Sequence, residues 1–281
     1  MLAPARTVPG LLAAAVAMGL AAAVPAPAQA QSRLEAHYTA TLAGIPIGRG
    51  TWSISLGETK YSATATGETT GLMRVFTGGG GTTTVNGTIT NGRLLSAGYL
   101  ANIESRKKSS AIRLVFEKGV LKETKITPTP DPDPERVPVT EAHTRGILDP
   151  MTASLVRAPG NGDPLSPESC NRKLSVFDGR IRYDLQLAYK RMDRVKADKG
   201  YAGPVLVCSV YFVPVAGYVP SRRSIKYLSS MRDTEVWLAP IAGTRVLAPF
   251  RAQGPTPIGL ARLEADQFVA SPGPQRASLQ R

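Results

Sequence analysis

The chain has 281 residues, and 34 lysines and arginines outnumber 21 aspartates and glutamates to give a formal net charge of +13. Only two cysteines and two histidines are present, which excludes a disulfide-dense scaffold and leaves few ligands for a zinc site. A chain of roughly 250–300 residues buries about three quarters of its unfolded surface, so it needs neither a metal nor dense cross-linking to fold.

The first 30 residues have the three parts of a secretory signal peptide. Arg6 lies near the start, the run Leu11–Val24 is apolar, and Ala28–Ala30 supplies a small-x-small cleavage site. The apolar run is shorter than the roughly 18 residues of a spanning helix, and no later segment is long and apolar enough to cross a bilayer. We therefore predict a leader at residues 1–30, and a mature, exported and soluble protein that begins at Gln31 and reaches the periplasm.

The excess of basic over acidic residues indicates which partners the protein could bind. Loss of Arg6 with the leader lowers the net charge by one, to +12. A field of this sign attracts anions, although salt screens it beyond roughly 8–10 Å. Outside the cytoplasm the candidates are an anionic lipid, a cell-wall polymer or an acidic envelope protein rather than nucleic acid. A generally basic surface without a specific partner is the alternative that composition leaves open.

Apolar and polar residues alternate along most of the chain after Leu34, which is the period-2 pattern of half-buried strands. Runs of this kind are Tyr38–Leu42, Thr51–Leu56, Tyr61–Thr66 and Arg180–Leu187. Val205–Val213 is continuously apolar, as expected of a strand covered on both sides. Asn91-Gly92 and Lys118-Gly119 predict tight hairpin turns. The pattern predicts an all-β protein with on the order of twelve or more strands.

Few windows fit a helix or a break in the strand pattern. Short helices are predicted at Leu72–Phe76 and at Pro150–Val156, the second with Asp149 as its N-cap. The proline-rich stretch Pro128–Pro134 cannot join a sheet interior, because proline has no N–H to donate, and is expected to be an exposed connector. We predict one β-rich domain over residues 31–270 and a disordered tail at residues 271–281.

Cys170 and Cys208 are the only cysteines and lie 38 positions apart. Their even number in an exported chain predicts one structural disulfide, since the compartment is oxidising. No C-x-x-C spacing supports the alternative of a redox-active pair. The loop-closure argument gives about 4 kcal/mol of stabilisation for a loop of this size.

Motifs that would carry catalysis are missing from the sequence. There is no G-x-S-x-G or H-E-x-x-H pattern, and Ser105–Lys108 matches S-x-x-K without its companion motifs. Gly78–Gly81 lacks the following Lys-Ser/Thr of a phosphate loop, so we expect a flexible loop there. His37 and His143 are not in metal-ligand spacing, and His37 is expected on the solvent side of its strand. The sequence therefore predicts no metal, no cofactor and no enzyme activity.

The most suggestive polar cluster is Phe177–Arg180, where Asp178-Gly179 can turn the chain tightly. One hypothesis is a small site for an anionic headgroup, and the alternative is a hairpin turn with solvated charges. Arg222 and Arg223 lie close to Tyr218 and Tyr227. Cations beside aromatic residues would suit a surface that binds a lipid or a glycan, but also an ordinary face of snorkelling side chains. The candidate binding residues are Asp178, Arg180, Arg182, Arg222 and Arg223.

Several segments together resemble a known family. They are Cys170 with Val176–Leu185, Tyr201–Cys208, Pro214–Tyr218, Gly146–Met151 and Tyr38–Gly48. The chain resembles the Gram-negative periplasmic proteins grouped as domain of unknown function 3108, and more weakly it is similar to the envelope integrity protein B type. The resemblance implies a large curved antiparallel sheet, a β-spiral or open-barrel-like fold, and a role in envelope maintenance without established catalysis.

Three hypotheses about function follow. The first is a non-catalytic periplasmic protein that supports cell-envelope integrity by binding a lipid, a cell-wall polymer or a protein. The second is a carrier of an apolar ligand in the concave interior of the sheet, which small interior side chains or a cavity would distinguish. The third is an enzyme with a dispersed site that uses Asp149 or Asp178 with His143.

Overall fold

The structure is a computed structural model that describes residues 32–70, 79–106 and 108–272. The predicted leader, the predicted helix at Leu72–Phe76 and the tail after Pro272 lie outside these ranges, whereas Ser271 is the last residue of the final strand. The first half of the described chain forms seven strands: β1 (Ser32–Leu42), β2 (Ile45–Leu56), β3 (Lys60–Thr69), β4 (Gly79–Thr90), β5 (Arg93–Ser105), β6 (Ser109–Glu117) and β7 (Val120–Thr127).

The second half of the described chain contains two short helices and eight further strands. In chain order these are α1 (Pro150–Ala153), β8 (Val156–Arg157), β9 (Arg172–Phe177), β10 (Arg182–Lys196), β11 (Lys199–Gly200), β12 (Ala202–Ala216), α2 (Arg223–Ser230), β13 (Glu235–Pro240), β14 (Val246–Thr256) and β15 (Gly259–Ser271). Short 3₁₀ turns occur at Glu141–Thr144 and Pro167–Ser169. The prediction of an all-β fold with one or two short helices is confirmed.

All 15 strands belong to one sheet, which is not closed and is antiparallel apart from the two-residue strand β11. Strands β1 to β7 pair in sequence order, and β15, β14, β13, β12, β10 and β9 follow one another on the other side. Arg33–Leu42 of β1 pairs with Ala261–Ser271 of β15 and joins the two halves at the centre of the sheet. The edges of the sheet are therefore β7 and β9.

The sheet curls around its main hydrophobic core. Leu34, Ala36 and Tyr38 are buried at alternate positions of β1, while His37 is exposed as predicted, so the period-2 pattern places one face of the strand inward. The largest fully buried side chains of this core include Trp237, Phe250, Phe268, Leu34 and Ile54. Strand β12 is buried continuously from Val205 to Ser209, which confirms that this part is covered on both sides.

Both predicted hairpin turns are confirmed. Asn91 and Gly92 have φ of 49° and 71°, and Lys118 and Gly119 have 49° and 77°, so both central residues are left-handed in each case. Two successive residues with positive φ give a turn whose twist matches that of the flanking strands.

The glycine run was predicted to be a flexible loop, and this is wrong for Gly79–Gly81, which form the start of β4. A Cβ atom at Gly79 would lie 2.7 Å from the Glu104 carbonyl oxygen, and one at Gly81 would lie 2.7 Å from that of Asn102. Only glycine allows β4 to approach β5 so closely, so these residues serve the strand rather than interrupt it.

The long connection between β7 and β9 links the two edges of the sheet. Its proline-rich part, Pro128–Pro134, lies outside the strands as predicted. Further on, the Gly146 N–H donates to the Gly119 carbonyl at 2.9 Å, and the Leu148 N–H donates to that of Ser175 at 2.8 Å. Ile147 between them packs in a cluster with Leu114, Phe116 and Phe177. Residues 146–148 therefore satisfy backbone groups at both edges, which an open sheet would otherwise expose.

The predicted disulfide is confirmed. Cys170 and Cys208 are bonded, their Cα atoms are 5.6 Å apart, and both residues are fully buried. They belong to a second core cluster with Leu206, Leu238 and Leu247. The bond ties the segment before β9, an edge strand, to the buried strand β12.

We expect the double variant Cys170→Ala, Cys208→Ala to unfold with a free energy lower by about 4 kcal/mol, because the unfolded chain regains the entropy of a large loop. Urea unfolding followed by circular dichroism measures the change. Reduction should lower the stability of the wild type to that of the variant and leave the variant unchanged. Equal stability of oxidised wild type and variant would contradict the expectation.

Candidate functional site

Small residues replace large ones on part of the inner face of β1–β3. Directly paired residues lie on the same face of a sheet, and Tyr38 pairs with Gly50, which in turn pairs with Gly67. Ala40 pairs with Gly48 in the same way. Further along β2 the inward positions are Trp52, Ile54 and Leu56, which fill the core. The glycines therefore leave space on the concave face where the core would otherwise continue.

This space is a cavity of about 510 Å³. Its volume lies within the range of about 300–1,000 Å³ that is usual for small-molecule sites. Strands β14 and β15 contribute Pro249, Ala252 and Leu263, and the region of α1 contributes Met151 and Ser154. Leu263 is 40% exposed, so the cavity opens to solvent on that side. The lining is mostly apolar or small and could accommodate a hydrocarbon chain.

One residue of this lining carries a buried polar group without a partner among the described residues. The Trp52 side chain is buried, with 8% of the residue exposed, and its Nε1–H has no hydrogen-bond acceptor among the described residues. By contrast, the Tyr38 hydroxyl donates to the Pro249 carbonyl at 2.7 Å, and the Ser154 hydroxyl donates to that of Pro150 at 2.9 Å. Buried indole N–H groups normally have a partner. Trp52 therefore combines a place in the cavity lining with an unpaired buried donor.

Asp149 fixes the helix that contributes to the cavity. Its carboxylate accepts the backbone N–H groups of Met151 and Thr152, each at 2.9 Å, as the predicted N-cap should. Its second oxygen accepts the hydroxyls of Ser96 and Thr152, and the Tyr61 hydroxyl lies 2.7 Å from that of Thr152. Helix α1 ends at Ala153, earlier than predicted, because the chain turns into β8 to pair with β14.

Burial dominates the electrostatics around α1. It raises the pKa of the Asp149 carboxyl above its ordinary value, although the hydrogen bonds from Ser96, Thr152 and the backbone oppose this. Burial likewise raises the pKa of Tyr99 to about 12, with a further contribution from the charge of Asp149. Both carboxylate oxygens of Asp149 are occupied by helix and strand groups, so its contacts are those of a structural cap.

Within the described part of the chain, no hydrogen bond or ion pair joins His143 to Asp149 or Asp178. His143 lies in the 3₁₀ turn Glu141–Thr144, where its Nδ1 accepts the Thr140 N–H at 3.1 Å. Asp178 closes a turn, because its carboxylate accepts the N–H groups of Arg180 and Ile181 at 2.8 and 2.7 Å. These contacts give His143 and Asp178 local roles in their turns. The absence of enzyme activity stays a prediction.

Of the arginines proposed as binding residues, two are held by carboxylates. Arg182 is buried and lies 2.7 Å from Asp184. Burial alone would raise the pKa of the Asp184 carboxyl, but hydrogen bonds from Arg182 and Ser175 and nearby positive charge hold that pKa below its ordinary value. Arg222 lies 3.0 Å from Asp133 in the proline-rich connector. The other two, Arg180 and Arg223, are exposed. Their role in binding stays a prediction.

The second hypothesis allowed for a cavity in the concave interior, but the residues that line it were not predicted, although the sequence held a signal for them. Gly48, Gly50 and Trp52 occupy alternate positions of one strand, so they point to one face. Two glycines beside a tryptophan on an inward face indicate that the large side chains of the core stop there. Gly67, which pairs with Gly50, could be assigned to the same face only once the register of β2 and β3 was known.

Other kinds of site find no support in the described ranges. Each helix there is too short or too polar to span a lipid bilayer. Nor do three or more His, Cys, Asp or Glu side chains of those ranges group in a way that could hold a metal ion.

The sheet and its cavity define an all-β protein whose single large sheet is not closed and holds a cavity on its inner face. The family model DUF3108, described as a protein of unknown function, matches residues 37–266, and the chain belongs to this family. The chain is also similar to a solved structure described as a beta-barrel-like protein of domain of unknown function DUF1849 from Brucella abortus. The TM-score is 0.43 at 8% identity, over 86% of this chain and 98% of that one. Comparison with curated proteins gives no match. The similarity to the envelope integrity protein B type stays a prediction.

We expect Asp149→Asn to change how stability depends on pH. At pH values above 3.8, the ordinary pKa of an aspartate, the unfolded chain has released the proton of Asp149. The folded protein still holds that proton over part of this range, because its pKa is raised. The contribution of Asp149 to stability therefore falls as pH rises through this window, by at most about 1.4 kcal/mol per pH unit. Asparagine does not titrate, so the unfolding free energy of the wild type minus that of the variant should decrease with rising pH.

Urea unfolding at a series of pH values above 4 measures this difference. Asp131→Asn is the matched control for the substitution itself, because Asp131 is exposed in the proline-rich connector. A difference that stays flat or rises with pH for Asp149→Asn would show that burial does not dominate its titration.

Proposed function

We propose that this protein is a non-catalytic binding protein that holds an apolar ligand in the cavity on the concave face of its sheet. The observation that carries the proposal is a cavity of about 510 Å³, floored by glycines and alanines and lined by Trp52, whose buried N–H has no partner among the described residues. An apolar wall with one unpaired donor suits a hydrocarbon chain that carries an acceptor oxygen. A fatty acid, a fatty ester or a long-chain alcohol has this composition.

The energetics favour the apolar part of such a ligand. Each buried methylene contributes about 0.8 kcal/mol, whereas a net hydrogen bond to a neutral acceptor contributes about 0.5–1.5 kcal/mol. The chain would therefore supply most of the affinity, and the indole N–H would set its position. Arg49 and Glu68, which are exposed, contribute to the rim and leave the head of the ligand in contact with water.

The location of the protein is part of the proposal. A disulfide within the chain indicates an oxidising compartment outside the cytoplasm. We propose further that the leader at residues 1–30 is cleaved, that the protein acts in the periplasm, and that ligand binding there supports the integrity of the cell envelope. The cationic net charge of the chain would favour approach to anionic envelope surfaces.

We expect Gly67→Leu to weaken the binding of an apolar probe by roughly tenfold or more, because the new side chain occupies the cavity. A Cβ atom at Gly67 meets only the Arg49 carbonyl oxygen, at 3.8 Å, so the backbone tolerates the change. Gly162→Leu is the matched control, since a Cβ there meets nothing within 4 Å and the residue does not line this cavity. Fluorescence titration with N-phenylnaphthylamine measures both affinities, and equal affinity of the folded variants would contradict the proposal.

The same titration, with dodecanol as competitor, tests the role of the indole. Trp52→Phe should weaken the binding of dodecanol by roughly two- to tenfold, the scale of one hydrogen bond, and should change the affinity for N-phenylnaphthylamine less. Trp237→Phe is the control, because the Trp237 N–H already donates to Asp193 at 2.8 Å. Loss of both ligands to the same extent in Trp52→Phe would show that the ring acts by packing alone.

A cellular experiment tests the envelope role. We expect deletion of the gene to sensitise cells to detergent, and the wild-type protein or Gly162→Leu to restore resistance. Gly67→Leu, at equal abundance in the periplasm, should fail to restore it. Full resistance of the deletion strain across detergents and cell-wall antibiotics would count against the role while leaving the binding proposal to the titration.

A further inference from the structure

A second cavity, of about 790 Å³, lies where the two edges of the sheet come together. Its walls are the β4–β5 turn, the edge-linking residues 146–148, the chain around β8 and the start of β9. It shares no lining residue with the apolar cavity. The two are separate sites, and we name this one the basic cleft.

The charge of the basic cleft is of one sign. Its lining contains Arg93, Arg157, Arg172 and Lys173 but neither aspartate nor glutamate. Lys173 lies 3.6 Å from Asp184, which is outside the lining. Within the described ranges, no carboxylate lies within ion-pair distance of the three arginines. By contrast, Lys190 and Arg191 share the carboxylate of Glu235 as their counter-charge.

Arg172 is the most constrained of these cations. Its Nη1 donates to the Arg157 carbonyl at 2.8 Å, while its Nε is buried and has no partner among the described residues. Burial also lowers the pKa of its guanidinium. A partly buried cation that has one neutral acceptor and no counter-charge is costly, and an anion in the cleft would offset that cost.

Arg157 is placed by a glycine. A Cβ atom at Gly92 would lie 3.0 Å from the Arg157 Nε, so the guanidinium rests against the backbone of the β4–β5 turn. Arg93 is the next residue along this turn and also lines the cleft. Arg157, Arg93 and Arg172 therefore line one shared space.

Leucines form the apolar part of the cleft. Leu94 and Leu155 are buried, and Leu95 and Leu148 are partly buried. A ligand that fits such a lining has an anionic head with several acceptor oxygens and an apolar body. A guanidinium group forms two parallel hydrogen bonds with a carboxylate or a phosphate alike, but a phosphate has more acceptor oxygens and so suits three arginines better than a single carboxylate does.

We propose that the basic cleft binds a phosphate ester carried on an apolar body, with its phosphate held by Arg93, Arg157 and Arg172. The site is independent of the apolar cavity and of its proposed function. A phospholipid headgroup and a free phosphate share the chemistry that the arginines recognise, and only the leucine wall distinguishes them.

Isothermal titration of the full chain at about 0.15 M salt tests the proposal with two ligands, dihexanoyl phosphatidic acid below its micelle concentration and inorganic phosphate. Arg157→Gln and Arg172→Gln should each weaken binding roughly tenfold or more, the scale of one charge-assisted hydrogen bond. Arg93→Gln, at an exposed hairpin position that should not perturb folding, should weaken it in the same direction.

Arg33→Gln and Arg113→Gln are matched controls, because both arginines are exposed and neither lines the cleft or the apolar cavity. They should keep wild-type affinity. Tighter binding of the phosphatidic acid supports a lipid headgroup, and equal binding of both ligands supports a free phosphate. The proposal is overturned if neither ligand binds, or if folded Arg93→Gln and Arg157→Gln variants bind as the wild type does.

Discussion

An open sheet must satisfy the backbone groups of its two edge strands, and the rest of this structure depends on how that is done. Residues 146–148 hydrogen bond to the β6–β7 turn on one side and to β9 on the other. Ile147 is buried in the cluster that joins these edges. Because this segment is held at both ends, Asp149 and α1 are carried into the concave interior, where Ser96 and Thr152 complete their hydrogen bonds.

The position of α1 divides the interior into two spaces of different chemistry. Met151 and Ser154 face the apolar cavity, and Leu155, only one residue further, faces the basic cleft. Glycines in place of larger side chains leave the volume of the apolar cavity. The basic cleft is lined by arginines that have no carboxylate within ion-pair distance among the described residues. The net charge of the chain is therefore a poor guide to binding, since cations such as Arg182 and Arg191 are already held by carboxylates.

Glycines allow strands of this sheet to approach closely and leave cavity volume, at some cost in stability. A glycine inside a strand is less favourable than alanine by about 0.5–1 kcal/mol. At Gly50 and Gly81 a Cβ atom would meet a carbonyl oxygen of the neighbouring strand at 2.7 Å, so these glycines permit close strand approach. At Gly67 no such contact occurs, and the missing side chain leaves cavity volume instead. Central strand pairing and the buried disulfide offset the cost.

The sequence by itself determined the features that adjacent residues encode. Strand alternation, the Asn91-Gly92 turn and the Asp149 cap each depend on chemistry within a few residues, and the disulfide followed from there being only two cysteines. The tertiary structure alone decided which glycines share a face, that Arg182 is buried against Asp184, and that arginines from three segments meet in one cleft. The reason is that these depend on register and edge contacts between distant segments, as where the Tyr38 hydroxyl reaches the Pro249 carbonyl across 211 positions of the chain. No local pattern fixes such a pairing.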